Sequence, residues 1–274
     1  MPSSFKGLTA KDIDRRLKQG RGKGAGPHYQ PFINVRDISS IGRSHRLLGI
    51  KAKRIHHLFS DLELAVFLSL DWSSKVIDIR EQFPLSVDQT SLLAEKAGIK
   101  HHAYRGANQV VTTDFLVDMD DKTTPQIALS AKYAKDLDDA RVIEKLELER
   151  LFWQEKGIPW YIVTDREISK TVFNNITWLY PVNQESVDTD EILRQFETLS
   201  RAIEAYPDRK IIAITQRLDA AYDQEAGYFL FWLRQLLSRR YFIFDMNKRY
   251  LDLKAGELLI NEHEDQGEVT HVIG

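Results

Sequence analysis

The stretch that decides the fold is V-V-T-T-D-F-L-V-D, residues 110–118, followed after a short gap by Q-I-A-L-S-A-K-Y, residues 126–133. Both stretches are rich in apolar and β-branched residues, which predicts strands over 109–118 and 126–133. Each strand carries a charged residue within its apolar run, Asp114 in the first and Lys132 in the second. Such residues are uncommon in strands unless they have a charged partner, a hydrogen-bond network or a metal ion. Both are therefore candidates for a functional site.

The surrounding sequence predicts further helices and strands at regular intervals. Residues 43–57 suit a strand pair or an extended lead-in, and K-V-I-D-I-R-E-Q-F-P-L alternates apolar and polar residues, as a half-buried strand does. The predicted elements are helices over 8–19, 60–71, 86–98 and 136–157 and strands over 75–85 and 158–165. This order predicts an α/β fold with a mixed sheet flanked by helices.

Glu63, in the predicted helix 60–71, is the third candidate. Two interpretations of it stay open. Ser60 and Glu63 have the spacing of a capping box, in which the glutamate reaches back to the amide of the capping residue. The same carboxylate, brought next to Asp114, can hold Mg²⁺ through hard oxygen ligands, and a nearby Lys132 can order a nucleophile. That combination is typical of a metal-dependent phosphodiesterase.

The structural alternative for Asp114 and Lys132 is a buried ion pair. Because desolvation offsets the attraction in such pairs, they seldom stabilise a fold by themselves, which favours a functional site. Asp118 shares a face with Asp114 if the strand alternates regularly, so it is either an outer ligand or a strand-end residue. No histidine or cysteine spacing indicates zinc. We therefore expect the three nearby histidines to pack or to contact phosphate: His45, His56 and His57.

Charge is unevenly distributed along the chain. Residues 1–60 hold 13 Lys and Arg against 3 Asp and Glu, although the net charge of the chain is only −2. This basic segment predicts contact with a polyanion such as nucleic acid. Its glycine-rich stretch, residues 20–28, is interpreted either as a flexible basic arm or as a plain linker. The absence of cysteine and of a signal-like or membrane-spanning stretch predicts a soluble, cytoplasmic protein.

After about residue 166 the pattern becomes mainly helical. Residues 181–190 suit a turn, residues 225–238 a strongly apolar helix, and Y-F-I-F-D and E-L-L-I-N two short strands. Helices followed by a small hairpin predict a winged-helix-like domain. We therefore predict two domains, over 1–168 and 169–274.

Asp114 followed by Ser130-Ala131-Lys132 resembles the core of the PD-(D/E)xK nucleases. More specifically, the chain resembles the TnsA family, the endonuclease subunits of heteromeric cut-and-paste transposons. The matching stretches run from about residue 5 to residue 180 and are G-R-S-H-R, H-H-L-F-S-D-L-E-L-A-V-F-L-S-L, D-I-R-E-Q-F-P-L, T-T-D-F-L-V-D, E-K-L-E-L-E-R and I-P-W-Y-I-V-T-D. The resemblance implies a restriction-endonuclease-like domain and a helical, winged-helix-like C-terminal domain.

The resemblance also implies roles for individual residues. Glu63, Asp114 and Lys132 would be catalytic, and Mg²⁺, for which Mn²⁺ can substitute, would be held by Glu63, Asp114 and the carbonyl of Ala131. The enzyme would cut DNA at the 5′ ends of a transposon, leaving 5′-phosphate and 3′-hydroxyl. Its partners would be a DDE-type transposase acting at the 3′ ends and an ATPase regulator that contacts the C-terminal domain.

One position departs from the superfamily pattern. The superfamily pattern usually has an acid two residues before the lysine, and Ser130 occupies that position here. TnsA proteins also deviate from the pattern at this position, with a neutral polar residue. Glu149, in the helix that follows, could supply a further carboxylate or could face solvent. Two other functions therefore stay open: a stand-alone restriction or repair nuclease of the same fold, and a non-catalytic adaptor that binds DNA and an ATPase.

Overall fold

The computed structural model describes residues 7–37 and 43–261. Within these ranges the chain divides into two compact units between Ile168 and Ser169. The first unit is built on a four-stranded sheet and the second is mainly helical.

The sheet of the first unit has the order β3-β6-β7-β8. Its first three strands pair antiparallel, and β8 runs parallel to β7 because the long helix α4 connects them. The strands are β3 (Val76–Pro84), β6 (Thr112–Met119), β7 (Gln126–Ala131) and β8 (Trp160–Val163). This is the mixed sheet that the sequence predicts. Lys132 lies one residue beyond the end of β7, although its amide still bonds to the carbonyl of Val163 at 3.0 Å.

Four helices and two small hairpins surround this sheet. The helices are α1 (Ala10–Lys18), α2 (Asp61–Trp72), α3 (Val87–Lys96) and α4 (Ala140–Lys156), and the hairpins are β1 (His45–Leu48) with β2 (Ile55–Leu58) and β4 (Ala103–Tyr104) with β5 (Ala107–Asn108). Helices α3 and α4 cover one sheet face through a core of Leu93, Leu116, Ala128, Phe152 and Trp153. Helix α2 packs against β3 and β7.

Local sequence explains where these helices begin and end. The Thr9 hydroxyl accepts the amide hydrogen of Asp12 and so caps α1. Asp139 caps α4, which therefore begins at Ala140 rather than at residue 136; a 3-10 turn occupies the residues before it. Gly157 ends α4 with a φ of 67°, a conformation that glycine adopts without steric cost.

The glycine-rich stretch forms a closed loop instead of a free arm. The amide of Gly22 donates to the carbonyl of Gln30 at 2.6 Å, and the amide of Gly26 donates to Asp78 in β3 at 2.8 Å. Four of its glycines have positive φ angles, which allows the chain to fold back on itself. Residues 1–6 and 38–42 of the basic segment lie outside the described residues.

The second unit consists of α5 (Lys170–Asn183), α6 (Thr189–Ala205), α7 (Ile211–Ala221), α8 (Tyr228–Ser238) and the hairpin of β9 (Phe242–Ile243) and β10 (Leu259–Ile260). Pro181 lies inside the last turn of α5, so the predicted turn begins later than residue 181. A single antiparallel bridge pairs Lys210, just before α7, with Lys254. Helix α8 packs against α5, α6 and α7, and most of its side chains are buried.

Candidate active site

Glu63 is positioned by the cap of helix α2. The Ser60 hydroxyl accepts the amide hydrogen of Glu63 at 3.0 Å and lies 3.2 Å from one oxygen of the Glu63 carboxylate. The other oxygen accepts the amide hydrogen of Phe59 at 3.0 Å, one residue before the amide that a capping box uses. The cap therefore holds the Glu63 carboxylate in place. Glu63 can cap the helix and belong to the site at the same time.

Asp114, Ala131 and Lys132 meet where β6 and β7 lie side by side. One oxygen of Asp114 accepts hydrogen bonds from the Lys132 ammonium at 2.7 Å and from the Ala131 amide at 2.8 Å. The ammonium also donates to the carbonyl of Ala131 at 2.9 Å. The side chains are mostly buried but not closed off: Asp114 is 12% exposed and Lys132 30% exposed.

Gln82, a residue that no sequence pattern singles out, connects the two carboxylates. Its side-chain nitrogen lies 3.5 Å from an oxygen of Glu63 and 3.5 Å from an oxygen of Asp114. The Glu63 oxygen and the Asp114 oxygen are therefore separated by no more than twice 3.5 Å. The structure thus brings Glu63, Asp114 and Lys132 together, from a helix and two strands that are distant in sequence.

A break in strand alternation makes this convergence possible. Thr113 contacts Glu149 and Trp153 of α4, and Leu116 packs in the core on the same side. Regular alternation would put residues 113 and 116 on opposite faces of the sheet. The side-chain alternation of β6 is therefore interrupted at Asp114.

The interruption corrects the prediction for Asp118. Because β6 and β7 pair regularly from residue 116 onward, Asp118 shares the face of Leu116 and not that of Asp114. Its carboxylate pairs with Arg80 and accepts a hydrogen bond from Gln126 at 2.6 Å. Asp118 is thus a structural residue near the end of the strand and not an outer metal ligand.

Negative charge is concentrated in the site. Burial, and then the charge of Asp114, raises the pKa of Glu63 to about 7. Burial by itself would lower the pKa of Lys132, but Asp114, Glu149 and Glu63 outweigh it and raise that pKa. Lys132 is therefore a permanent cation, while the two neighbouring carboxylates repel each other.

The donor set fits a hard divalent cation. Carboxylate oxygens of Glu63 and Asp114 and the carbonyl oxygen of Ala131 are the ligand types that Mg²⁺ and Ca²⁺ prefer. Across residues 7–37 and 43–261 no group of three or more His, Cys, Asp or Glu side chains is arranged to hold a metal ion. An ion here would consequently need the backbone carbonyl and water in addition to the two carboxylates.

Glu149 lies directly behind the site and is only 5% exposed. The interpretation in which this residue faces solvent is therefore wrong. It accepts hydrogen bonds from Ser130 at 2.6 Å and from Thr113 at 3.2 Å. Each of these hydroxyls accepts in turn from a tryptophan indole, that of Trp160 for Ser130 and that of Trp153 for Thr113. Burial raises the pKa of Glu149 to about 7, although the charge of Lys132 opposes the shift. A carboxylate on α4 thus lies next to the serine that replaces the usual acid.

The histidines and many of the basic residues belong to the scaffold. His45 pairs with Asp61 at 2.7 Å, and the buried His56 contacts Glu81 at 2.9 Å. The amide of Val35 donates to the ring of His57 at 3.5 Å. Part of the basic N-terminal charge is neutralised internally: Arg16 and Arg21 pair with Asp37, and Arg54 pairs with Glu81. The charge count therefore overstates the free positive charge of this segment, and its exposed basic residues include Lys23, Arg43, Arg46 and Lys53.

Comparison with known proteins identifies both units. A family model described as TnsA-like endonuclease N terminal matches residues 73–165, and one described as TnsA endonuclease C terminal matches residues 167–246. The chain is 46% identical over 260 residues to the transposon Tn7 transposition protein TnsA of Escherichia coli, with 95% of each chain covered.

The restriction-endonuclease-like sheet and these matches define the class of the protein, a transposition endonuclease. The chain belongs to the TnsA family. Membership implies a general requirement for a divalent metal ion. In the part of the chain that the structure describes, no helix is both long enough and apolar enough to cross a membrane.

Proposed function

We propose that this endonuclease is Mg²⁺-dependent and that Glu63, Asp114 and the Ala131 carbonyl hold the ion beside Lys132. Mn²⁺, which accepts the same ligands, would substitute. The observation that carries the proposal is the position of the Lys132 ammonium. It lies 2.7 Å from Asp114 and 2.9 Å from the Ala131 carbonyl, next to a carboxylate pair that Gln82 connects.

The divalent ion and Lys132 have distinct tasks in the proposed hydrolysis. A bound divalent ion supplies Lewis-acid stabilisation of the phosphate charge. Lys132 orients the attacking water by hydrogen bonding and offsets the negative charge that builds on the phosphate oxygens. The water oxygen forms a bond to phosphorus and the water releases one proton, while the bond from phosphorus to the 3′ oxygen breaks and that oxygen takes up one proton, so that the net proton count is unchanged. The products are a 5′-phosphate and a 3′-hydroxyl.

Glu149 is a further candidate for the carboxylate that is missing at position 130. It is buried and already bonded to the Ser130 hydroxyl at 2.6 Å. Its negative charge also acts on Lys132 and Asp114. We propose that it contributes to the charge balance of the site from α4.

The relative in Escherichia coli is named as a transposition protein. We propose that the present chain acts in the same kind of process. It would cut at the 5′ ends of a transposon while a DDE-type transposase acts at the 3′ ends. An ATPase regulator would contact the second unit.

After α5, the second unit runs in the order α6, the Lys210–Lys254 bridge, α7, α8 and the β9–β10 hairpin, and this order supports a winged-helix-like domain. In such domains the second helix of the helix-turn-helix enters the DNA major groove. Here that position is taken by α8, whose side chains are mostly buried against α5, α6 and α7. A helix covered in this way cannot enter a groove without unpacking, which favours a protein partner for this unit.

The test is to map strand breaks at a cognate transposon end with transposase, ATPase and Mg²⁺ present. Asp114→Asn keeps the shape of the side chain and removes its charge, so we expect the 5′-end breaks to fall by about a hundredfold or more while 3′ joining persists. Asp118→Asn is the matched control, since Asp118 lies on the same strand but faces away from the site, and it should cut like wild type.

Other outcomes identify the competing functions. If Asp114→Asn leaves both break patterns unchanged, the chain is an adaptor or its active site is elsewhere. If the isolated wild-type chain cuts DNA without its partners, the stand-alone nuclease is the better description.

A further inference from the structure

Gln82 has an unusual backbone for a buried strand residue. It lies within β3 with a φ of 48° and is 6% exposed. A positive φ is uncommon for residues other than glycine, and in folded proteins it persists where the surroundings hold it. Such positions concentrate at functional sites, and Gln82 lies beside two carboxylates of the candidate site.

The neighbours of Gln82 show how the conformation is held. Glu81 is bound by Arg54 at 2.8 Å and by His56 at 2.9 Å. Phe83 pairs with Thr113 and packs into the core on the α4 side. Residues 81 and 83 would share a face in a regular strand, and here they do not. The left-handed backbone of Gln82 makes this reversal and places its amide beside Glu63 and Asp114.

The orientation of the amide is defined by its third contact. The Thr112 hydroxyl donates to the side-chain oxygen of Gln82 at 3.1 Å. With that oxygen occupied, the NH₂ group faces the two carboxylates. A neutral donor can relieve the repulsion between them without cancelling the charge that attracts a cation, whereas a lysine would cancel it and a glutamate would add to it.

We propose that Gln82 is a positioning residue that sets the spacing of Glu63 and Asp114 for a shared divalent ion. The proposal rests on the proposed function, because it assumes that these carboxylates bind the ion. It goes beyond that function in assigning the geometry of the metal site to a side chain that does not itself need to touch the ion. Outer residues of this kind typically affect metal affinity by about ten- to a hundredfold.

The experiment compares Gln82→Met with Gln126→Met in the full chain. Methionine keeps the length of glutamine but cannot bridge two carboxylates by hydrogen bonds. Gln126 is the matched control because it also donates to a strand aspartate, Asp118, outside the site. Calorimetric titration with Mg²⁺ measures binding, and the Mg²⁺ dependence of 5′-strand cleavage measures its consequence.

We expect Gln82→Met to bind Mg²⁺ on the order of tenfold more weakly and to recover its cleavage rate at high Mg²⁺. Gln126→Met should match wild type in both measurements. Thr112→Val, which removes only the contact that orients the amide, should shift Mg²⁺ binding in the same direction by a smaller factor. This second variant decides the matter if Gln82→Met does not fold.

Two results overturn the proposal and can be told apart. If wild type binds Mg²⁺ and folded Gln82→Met binds it equally well, Gln82 has no positioning role and the proposed function stands. If wild type binds no divalent ion at any concentration that supports cleavage, the proposed metal site fails and the role of Gln82 fails with it.

Discussion

Among single residues, Glu81 shows how a buried charge is stabilised next to the site. Its side chain is fully buried and receives hydrogen bonds from Arg54, His56 and the His57 amide. Burial would raise the pKa of Glu81, but the bonds from Arg54 and His56 outweigh burial and lower that pKa to about 2. These contacts join the β1–β2 hairpin to β3, immediately before Gln82.

The lowered pKa of Glu81 predicts a pH-dependent stability. Because the pKa is lower in the folded state, the stabilisation is fully present above the unfolded pKa, near 4.5, and is lost as the pH falls towards 2. Glu81→Gln should therefore lower the free energy of unfolding by about 3 kcal/mol at pH 7. The difference from wild type should shrink below pH 4.5. Urea unfolding of both proteins between about pH 7 and pH 3 measures it.

The control for Glu81 is Glu147, which pairs with Arg150 on the surface of α4. Exposed pairs of this kind contribute less than about 1 kcal/mol, so Glu147→Gln should be nearly neutral. A difference between wild type and Glu81→Gln that stays constant across the whole acid range would contradict the assignment of the lowered pKa to this residue.

At the scale of elements, the glycine-rich loop depends on close packing as well as on backbone freedom. Gly22 has a φ of 81°, and a Cβ atom there would lie 2.1 Å from Cγ of Pro84 at the end of β3. Gly20 has nearly the same φ, 84°, but a Cβ atom there would meet no other atom within 4 Å. Substitution of Gly20 therefore tests backbone strain alone, whereas substitution of Gly22 tests backbone strain together with steric overlap.

Gly20→Ala should lower the free energy of unfolding by about 1 kcal/mol, the cost of a left-handed alanine. Gly22→Ala should lower it by about 2–4 kcal/mol, because the overlap with Pro84 displaces the loop or the strand. Thermal or urea unfolding of the two variants measures the difference. Equal losses would mean that the loop is not packed on β3 in solution and behaves as the flexible arm of the first interpretation.

At the scale of the whole molecule, the division between Ile168 and Ser169 predicts that the nuclease unit can exist alone. A fragment of residues 1–168 contains the whole four-stranded sheet and every residue of the candidate site. We expect it to unfold cooperatively in urea and to keep the Mg²⁺ binding that we propose for the full chain. It should no longer respond to a partner that acts through the second unit.

A fragment of residues 1–157 is the control for this truncation. It lacks β8, which pairs with β7 next to Ser130 and Ala131, so β7 loses its parallel neighbour. We expect this shorter fragment to lose cooperative unfolding and Mg²⁺ binding. If the 1–168 fragment is itself unfolded, the proposed domain boundary is wrong.

Local sequence patterns predict most elements of the first unit and three members of the candidate site. Asp114 and Lys132 stand out because charged residues are rare within apolar strand segments, and Ser60 with Glu63 specifies a helix start by local hydrogen bonding. The boundaries differ by a few residues where caps set them, as at Asp139. These residue types predict a metal-dependent phosphodiesterase, and the resemblance to the TnsA family adds the expected role of each residue and the transposon ends as the substrate.

Packing between distant elements settled which side chains meet. Gln82, the burial of Glu149 and the turning away of Asp118 all depend on how β3, β6 and α4 pack. A strict period of two, applied to β6 alone, puts Asp118 beside Asp114. The contacts with α4 and with β3 interrupt that period at residue 114, and such contacts join residues that are tens of positions apart in the sequence. No local pattern can record that interruption, because its cause lies in neighbouring elements and not in the strand itself.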